Sequence, residues 1–288
     1  GLSNRPRTRW GFVGFMNAYL LTGDDKYLQA WREQHDAIYG AGKMIEGTYH
    51  TPQMYGNPEW SREGYTDQDD WYGFRPYRGE NENMLQIYYL SMLADDRKHI
   101  KTNPWLEYLE GQRPDYAVNA MRADLVDVRK RMKFLREDHT SPDMRLVDDP
   151  MHINPASITS LIRLMGGGFY EPDHARRSPP FHTRLRYFDP QKRRTGVPDD
   201  VAVLVDQMTN KSVRVHLVNL NPIESRALVV QGGAYGEHQL VTVTEKDHRV
   251  AIDDTYFTIS LAPGAGTTLK IEMNRYVNQP TMDFPWER

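Results

Sequence analysis

Carboxylates and aromatic rings crowd together between residues 46 and 82, a stretch holding Glu46, Tyr49, His50, Tyr55, Trp60, Tyr65, Asp67, Asp69, Asp70, Trp71, Tyr72, Arg75, Tyr77, Arg78, Glu80 and Glu82. Hydrolysis of a glycosidic bond takes two carboxyl groups, one protonated to release the leaving oxygen and one ionised to activate water or attack the sugar. Asp69 or Asp70, beside Trp71, is the candidate base, and Glu80 or Glu82 the candidate acid. Clustered carboxylates and an apolar ring wall both raise a carboxyl pKa, as the acid requires. Tyr and Trp combine a flat apolar face with a polar edge and so suit a sugar ring, which makes Tyr49, Tyr55, Trp60, Trp71 and Tyr77, with Arg75, the candidate substrate contacts. Elimination from a uronic acid needs another set: a Tyr or His to take the C5 proton, and an Arg, Asn or His to hold the carboxylate. His50 and Tyr72 are its candidate catalytic groups, and a second loop brings His152 and Asn154 to a helix N-terminus, where backbone donors favour anions.

Plainer roles compete with each of these. Glu80 and Glu82 suit the first turn of a helix, and Asn154 before Pro155 suits an N-cap. Asp67, Asp69 and Asp70 suit a turn or a calcium loop, but Arg78 stands where the bidentate Glu of an EF-hand would fall, so no metal is assigned and no cofactor is expected. His216, Glu237 and His238 have no partner at metal-ligand or triad spacing and read as structural.

The elements that must position these groups change character along the chain. Trp10 to Leu21 and the stretch after Asp24 carry apolar residues at helical spacing, with Thr22 and Gly23 as a short connection that forces the two helices antiparallel. The run Leu93-Ala94-Asp95-Asp96-Arg97-Lys98 echoes Leu21-Thr22-Gly23-Asp24-Asp25-Lys26, so a repeating helical pair is expected. Pro114 opens a long helix striped by Val118, Met121, Leu125, Val128, Met132 and Leu135, and Gly166, Gly167 and Gly168 stop another. From residue 201 the period becomes two, in seven short β-branched segments separated by turn residues. The expected organisation is a helical-hairpin domain at 1–168, a linker at 169–198, an antiparallel β-sandwich at 199–275, and a tail at 276–288 that lies over another surface.

Helical hairpins joined through Leu-Thr-Gly-Asp-Asp-Lys-Tyr-Leu, an aromatic loop, and then the segments 215–222, 231–238 and 261–266 resemble the (α/α)-toroid glycoside hydrolases and polysaccharide lyases of bacterial polysaccharide breakdown. The resemblance implies an α+β multidomain fold, a toroid of helical hairpins followed by a β-sandwich, with a sugar cleft at one rim and a secreted or periplasmic location. A closed toroid holds about twelve helices and about six are read here, so the resemblance also implies a missing N-terminal half of the same protein, expected as a second chain. Three functions follow as expectations: hydrolysis of a polysaccharide or oligosaccharide by paired carboxylates, β-elimination on a uronic-acid polymer, or carbohydrate binding without catalysis.

Bulk properties narrow the partners. A formal net charge of -3, from 36 Lys and Arg against 39 Asp and Glu, offers no broad basic face for nucleic acid. No apolar run reaches the roughly 20 residues needed to cross a bilayer, so no membrane partner is expected. The absence of Cys excludes disulfides and thiolate chemistry.

Overall fold

The structure is a computed structural model that describes residues 13–52, 74–76, 80–100, 102–139, 159–168 and 180–288. The chain divides into two compact units, Gly1–Asn103 and Pro104–Arg288.

In the first unit, α1 (Val13–Thr22) and α2 (Asp25–Gly40) form an antiparallel hairpin. Gly23 closes α1 at φ 62, a conformation that glycine adopts without penalty, and the Asp24 side chain accepts the Lys26 N–H at 3.0 Å to cap α2. Met16, Tyr19 and Leu20 bury one face of α1 and Leu28, Trp31 and His35 one face of α2, the i, i+3, i+7 set of an amphipathic helix. α3 (Glu80–Ser91) and the single turn α4 (Ala94–Arg97) are the other helices among the described residues of this unit. A small antiparallel sheet of β1 (Lys43–Ile45), β2 (Thr48–Pro52) and β3 (Phe74–Pro76) follows α2 in the order β1-β2-β3. Its first turn is a two-residue hairpin in which Glu46 and Gly47 take φ 48 and 76, the double positive φ that matches strand twist.

The second unit begins with α5 (Pro104–Leu109), α6 (Tyr116–Glu137) and α7 (Thr159–Gly166) and continues as two antiparallel sheets. One sheet has the order β10-β9-β12-β7-β6, from β6 (Val201–Met208), β7 (Ser212–Asn219), β9 (Gln239–Glu245), β10 (His248–Asp254) and β12 (Gly266–Asn274). The other has the order β11-β8-β4-β5, from β4 (Leu185–Asp189), β5 (Arg194–Thr195), β8 (Arg226–Gly232) and β11 (Tyr256–Leu261). Alternate residues Val213, Val215 and Leu217 on β7 and Leu269, Ile271 and Met273 on β12 are buried, so the five-stranded sheet has one apolar and one polar face. In β8 every residue from Leu228 to Gly232 is buried, which requires cover on both faces. The outer cover comes from the C-terminal tail: Val229 pairs with Phe188, whose ring meets Phe284 at 6.0 Å and Trp286 at 5.9 Å.

α7 leans on β6 and β4, and α5 on β6. Gly166, Gly167 and Gly168 act as more than a helix stop. A Cβ on Gly167 would lie 2.4 Å from the Met208 sulfur, and one on Gly166 would lie 2.2 Å from the Thr183 hydroxyl. The three glycines let the chain end of α7 seat directly on the sandwich.

The expected architecture is corrected. No toroid of helical hairpins is present: the described residues hold seven α-helices and three antiparallel sheets, a mixed α and β architecture. The echo between residues 21–26 and 93–98 marks two turns rather than a repeat, because α4 is only four residues long and its Asp96 side chain turns inward to Arg32, where Asp24 caps a helix. The segment read as a linker, 169–198, carries β4 and β5 inside the sandwich, and the helical residues assigned to one domain are shared between the two units. The signal of β4 was masked because Leu185, Tyr187, Phe188 and Asp189 are all buried, which leaves no polar-apolar alternation to read. No described helix is long and apolar enough to cross a membrane.

Candidate functional site

The polar face of the five-stranded sheet holds an open concavity of about 580 Å³. Three strands build it through the two-residue side-chain period. β7 contributes Arg214, His216 and Val218, β12 contributes Gly266, Thr268 and Lys270, and β9 contributes Thr244 with Glu245 and the following Lys246. Register places Thr268 opposite His216, and Lys270 opposite both Arg214 and Thr244. The cationic groups Arg214, Lys246 and Lys270 and the hydroxyls of Thr244 and Thr268 therefore line the groove, with Thr267 and its hydrogen-bond acceptor Glu245 at its rim.

Asp206 orders one wall. Its carboxylate accepts two bonds from Arg214, at 2.7 and 2.9 Å, and lies 2.8 Å from His216 Nε2, while His216 Nδ1 lies 2.9 Å from the Thr268 hydroxyl. Burial opposes ionisation of Asp206, but the hydrogen bonds from Arg214 and His216 outweigh it and hold the carboxyl below its ordinary value. An Asp–His–hydroxyl chain has the connectivity of a nucleophilic triad. Here Arg214 clamps the carboxylate from a second side, and the chain holds the His216 ring and the Thr268 hydroxyl in a fixed orientation on the groove floor. The arrangement suits binding of an anion through cations and hydroxyls.

A second polar cluster lies inside the same unit, at the turn between β8 and β9. Glu237 is 1 % exposed, and its carboxyl accepts the backbone N–H groups of Ala234 at 3.2 Å and Tyr235 at 2.7 Å. Burial pushes its pKa up to about 7 against the opposing pull of those backbone donors and of Arg186. The turn depends on Gly233, at φ 83, where a Cβ would fall 2.3 Å from the Glu237 carboxyl carbon. His238 is fully buried and accepts the Tyr276 N–H at Nδ1, at 3.2 Å. His182 is 1 % exposed and neither ring nitrogen has a hydrogen-bond partner among the described residues.

That burial lowers the His182 pKa to about 4 and makes the residue an acid-sensitive point. Its folded value lies below the unfolded one, so stability is present above the unfolded pKa and is lost as pH falls toward 4. We expect His182→Leu to shrink the loss of unfolding free energy between pH 7 and pH 5 by about 2 kcal/mol, in urea titrations at both pH values. An unchanged difference would mean that the imidazole is hydrated in the folded protein.

Most residues singled out in the sequence fall elsewhere. Tyr55, Trp60, Asp69, Asp70, Trp71, Tyr72, Tyr77, His152 and Asn154 lie outside the described residues. Glu80 and Glu82 occupy the first turn of α3, and Arg75 lies on β3. Tyr49 lies on β2, its hydroxyl donating to the Tyr39 carbonyl and its ring 4.6 Å from that of Tyr39. Its packing is tight: a Cβ on Gly42 would lie 2.6 Å from the Tyr49 ring. His50, also on β2, points Nδ1 at the Thr48 carbonyl, 2.9 Å away. Tyr49 and His50 belong to the first unit and the sheet groove to the second. The groove residues escaped the sequence reading because they come from three strands. Their signal was the alternation Arg214-x-His216 and Thr268-x-Lys270 on the polar side of two predicted strands. Among the described residues no group of three or more His, Asp or Glu is arranged to hold a metal ion.

Comparison of the chain with protein-family models, curated proteins and solved structures returns no match. The functional reading therefore rests on the site itself.

Proposed function

We propose that the protein binds an acidic polysaccharide along the polar face of its five-stranded sheet. The observation that carries this reading is the concavity itself, lined by Arg214, His216, Lys246, Lys270 and three threonines with Glu245 as its single acid. Cations pair with sugar carboxylates or sulfates, and hydroxyls reach the neighbouring sugar hydroxyls. Arg214 is partly neutralised by Asp206 and Lys270 lies 3.9 Å from Glu272, so Lys246 carries the largest share of the attraction. The carboxylates of residues 46–82 are assigned, from sequence, the hydrolysis of the same polymer.

Calorimetric titration with a polyuronate and with a neutral glucan of equal length tests the binding. The polyuronate is expected to bind, with an affinity that falls as salt rises, and the glucan to show little heat. Lys246→Glu with Lys270→Glu is expected to weaken polyuronate binding by about tenfold or more while the thermal transition stays in place, both side chains being at the surface. Equal binding of both polymers, or indifference to the double reversal, would remove the groove from the account. Incubation with the polyuronate then sorts the chemistry: new reducing ends without an unsaturated product mean hydrolysis, an unsaturated uronate means elimination, and neither means binding alone.

A further inference from the structure

Helix α6 spans 22 residues and buries none of them, although it meets α5 and α7 of its own unit. A helix of this length draws most of its stability in a folded protein from burying an apolar stripe. That stripe exists here: Val118, Met121, Leu125, Val128, Met132 and Leu135 follow one another at alternating spacings of three and four, the a and d positions of a heptad repeat. Its outer edge is open, with Val118 at 53 % and Leu125 at 50 % exposure.

The flanking positions say what covers it. Counting Val118 as a, the e positions are Arg122, Arg129 and Arg136, and the g positions inside the seam are Asp124 and Arg131, the latter bridged to Asp127 at 2.6 Å within the helix. An antiparallel second copy would set e against e, Arg against Arg. A parallel copy would set Arg131 against Arg136, beside one attractive pair of Asp124 with Arg129. Both self-pairings place like charges along the seam, whereas a helix with acidic flanks meets an arginine at every e position. We propose that α6 docks a helix of a partner protein whose own apolar heptad seam is flanked by Asp or Glu.

The test uses the full chain and two fluorescent synthetic helices with Leu at a and d, one with Glu at every e and g position and its twin with Lys there. Fluorescence anisotropy is expected to show the Glu helix binding at least about tenfold more tightly than the Lys twin, with a gap that narrows as salt rises. Leu125→Asp is expected to lower that affinity by about tenfold or more without moving the thermal transition, because the side chain is half exposed. Arg129→Glu with Arg136→Glu is expected to reverse the preference between the two helices, a change that a general loss of structure would not produce. Equal binding of both helices, binding of neither, or a preference of the unaltered chain for the Lys twin would overturn the proposal. So would light scattering that shows a dimer of this chain dissolved by Leu125→Asp, since a second copy would then hold the face.

Discussion

Arg32→Ala is expected to cost the first unit about 3 kcal/mol or more of stability, because it strands a buried carboxylate. Asp96 is 4 % exposed and receives two bonds from the Arg32 guanidinium, at 2.8 and 2.7 Å, across 64 residues of chain, together with the Ser91 hydroxyl. Burial penalises its charge, and the bonds from Arg32 and Ser91 more than offset that penalty and hold its pKa below the ordinary value. In the intact protein this stabilisation is present above the unfolded pKa and lost as pH falls through the folded one. Without Arg32 the burial penalty prevails, the folded carboxyl titrates above the unfolded one, and acidification should narrow the deficit of the variant. Arg32→Met combined with Asp96→Leu is expected to recover most of the loss, since an apolar pair of similar volume replaces a buried ion pair at little cost. Urea unfolding of the three proteins at neutral and acid pH measures all of this. A single-variant loss below about 1 kcal/mol would show the pair to be solvated, as exposed bridges are.

Glu237→Gln is expected to change the pH dependence of stability by about 2 kcal/mol between pH 5 and pH 8. Burial disfavours the ionised form and raises the folded carboxyl to about 7, while the unfolded group titrates at its ordinary value of 4.5. Between those two values the folded state holds the proton more tightly, so this group contributes stability at low pH that is lost as pH rises through 7. The direction is opposite to that of His182, whose contribution grows with pH, and the intact protein reports the sum of both. Gln removes the titration but keeps one oxygen for the N–H groups of Ala234 and Tyr235, so the difference curve between variant and intact protein isolates Glu237. A flat difference curve would mean that the carboxyl titrates normally. The C-terminal tail should report the same event, because Val277 and Asn278 donate their N–H groups to the Glu237 carbonyl at 3.1 and 3.3 Å.

Local chemistry determined much of this architecture from the sequence alone. The α1–α2 hairpin follows from helical periodicity, a positive-φ glycine and an Asp cap, all of which act within a few residues. The strands β7 and β12 follow from alternation, because one face of each is wet and the other dry. Tertiary structure decided the rest. The first sheet escaped notice because its strands β1 and β3 are three residues long and its turn uses Glu-Gly where Asn-Gly would have signalled a hairpin. Strand β4 looked like a linker because its Arg and aromatic side chains are buried by a sheet and a tail that arrive far later in the chain. The absence of a toroid could not be read from helix-like segments, since the same apolar stripe serves a hairpin ring, a sandwich support or an open docking face. The groove is the clearest case: Arg214, Lys246, Thr268 and Lys270 are separated along the chain, and only the pairing of β7, β12 and β9 sets their charges on one surface.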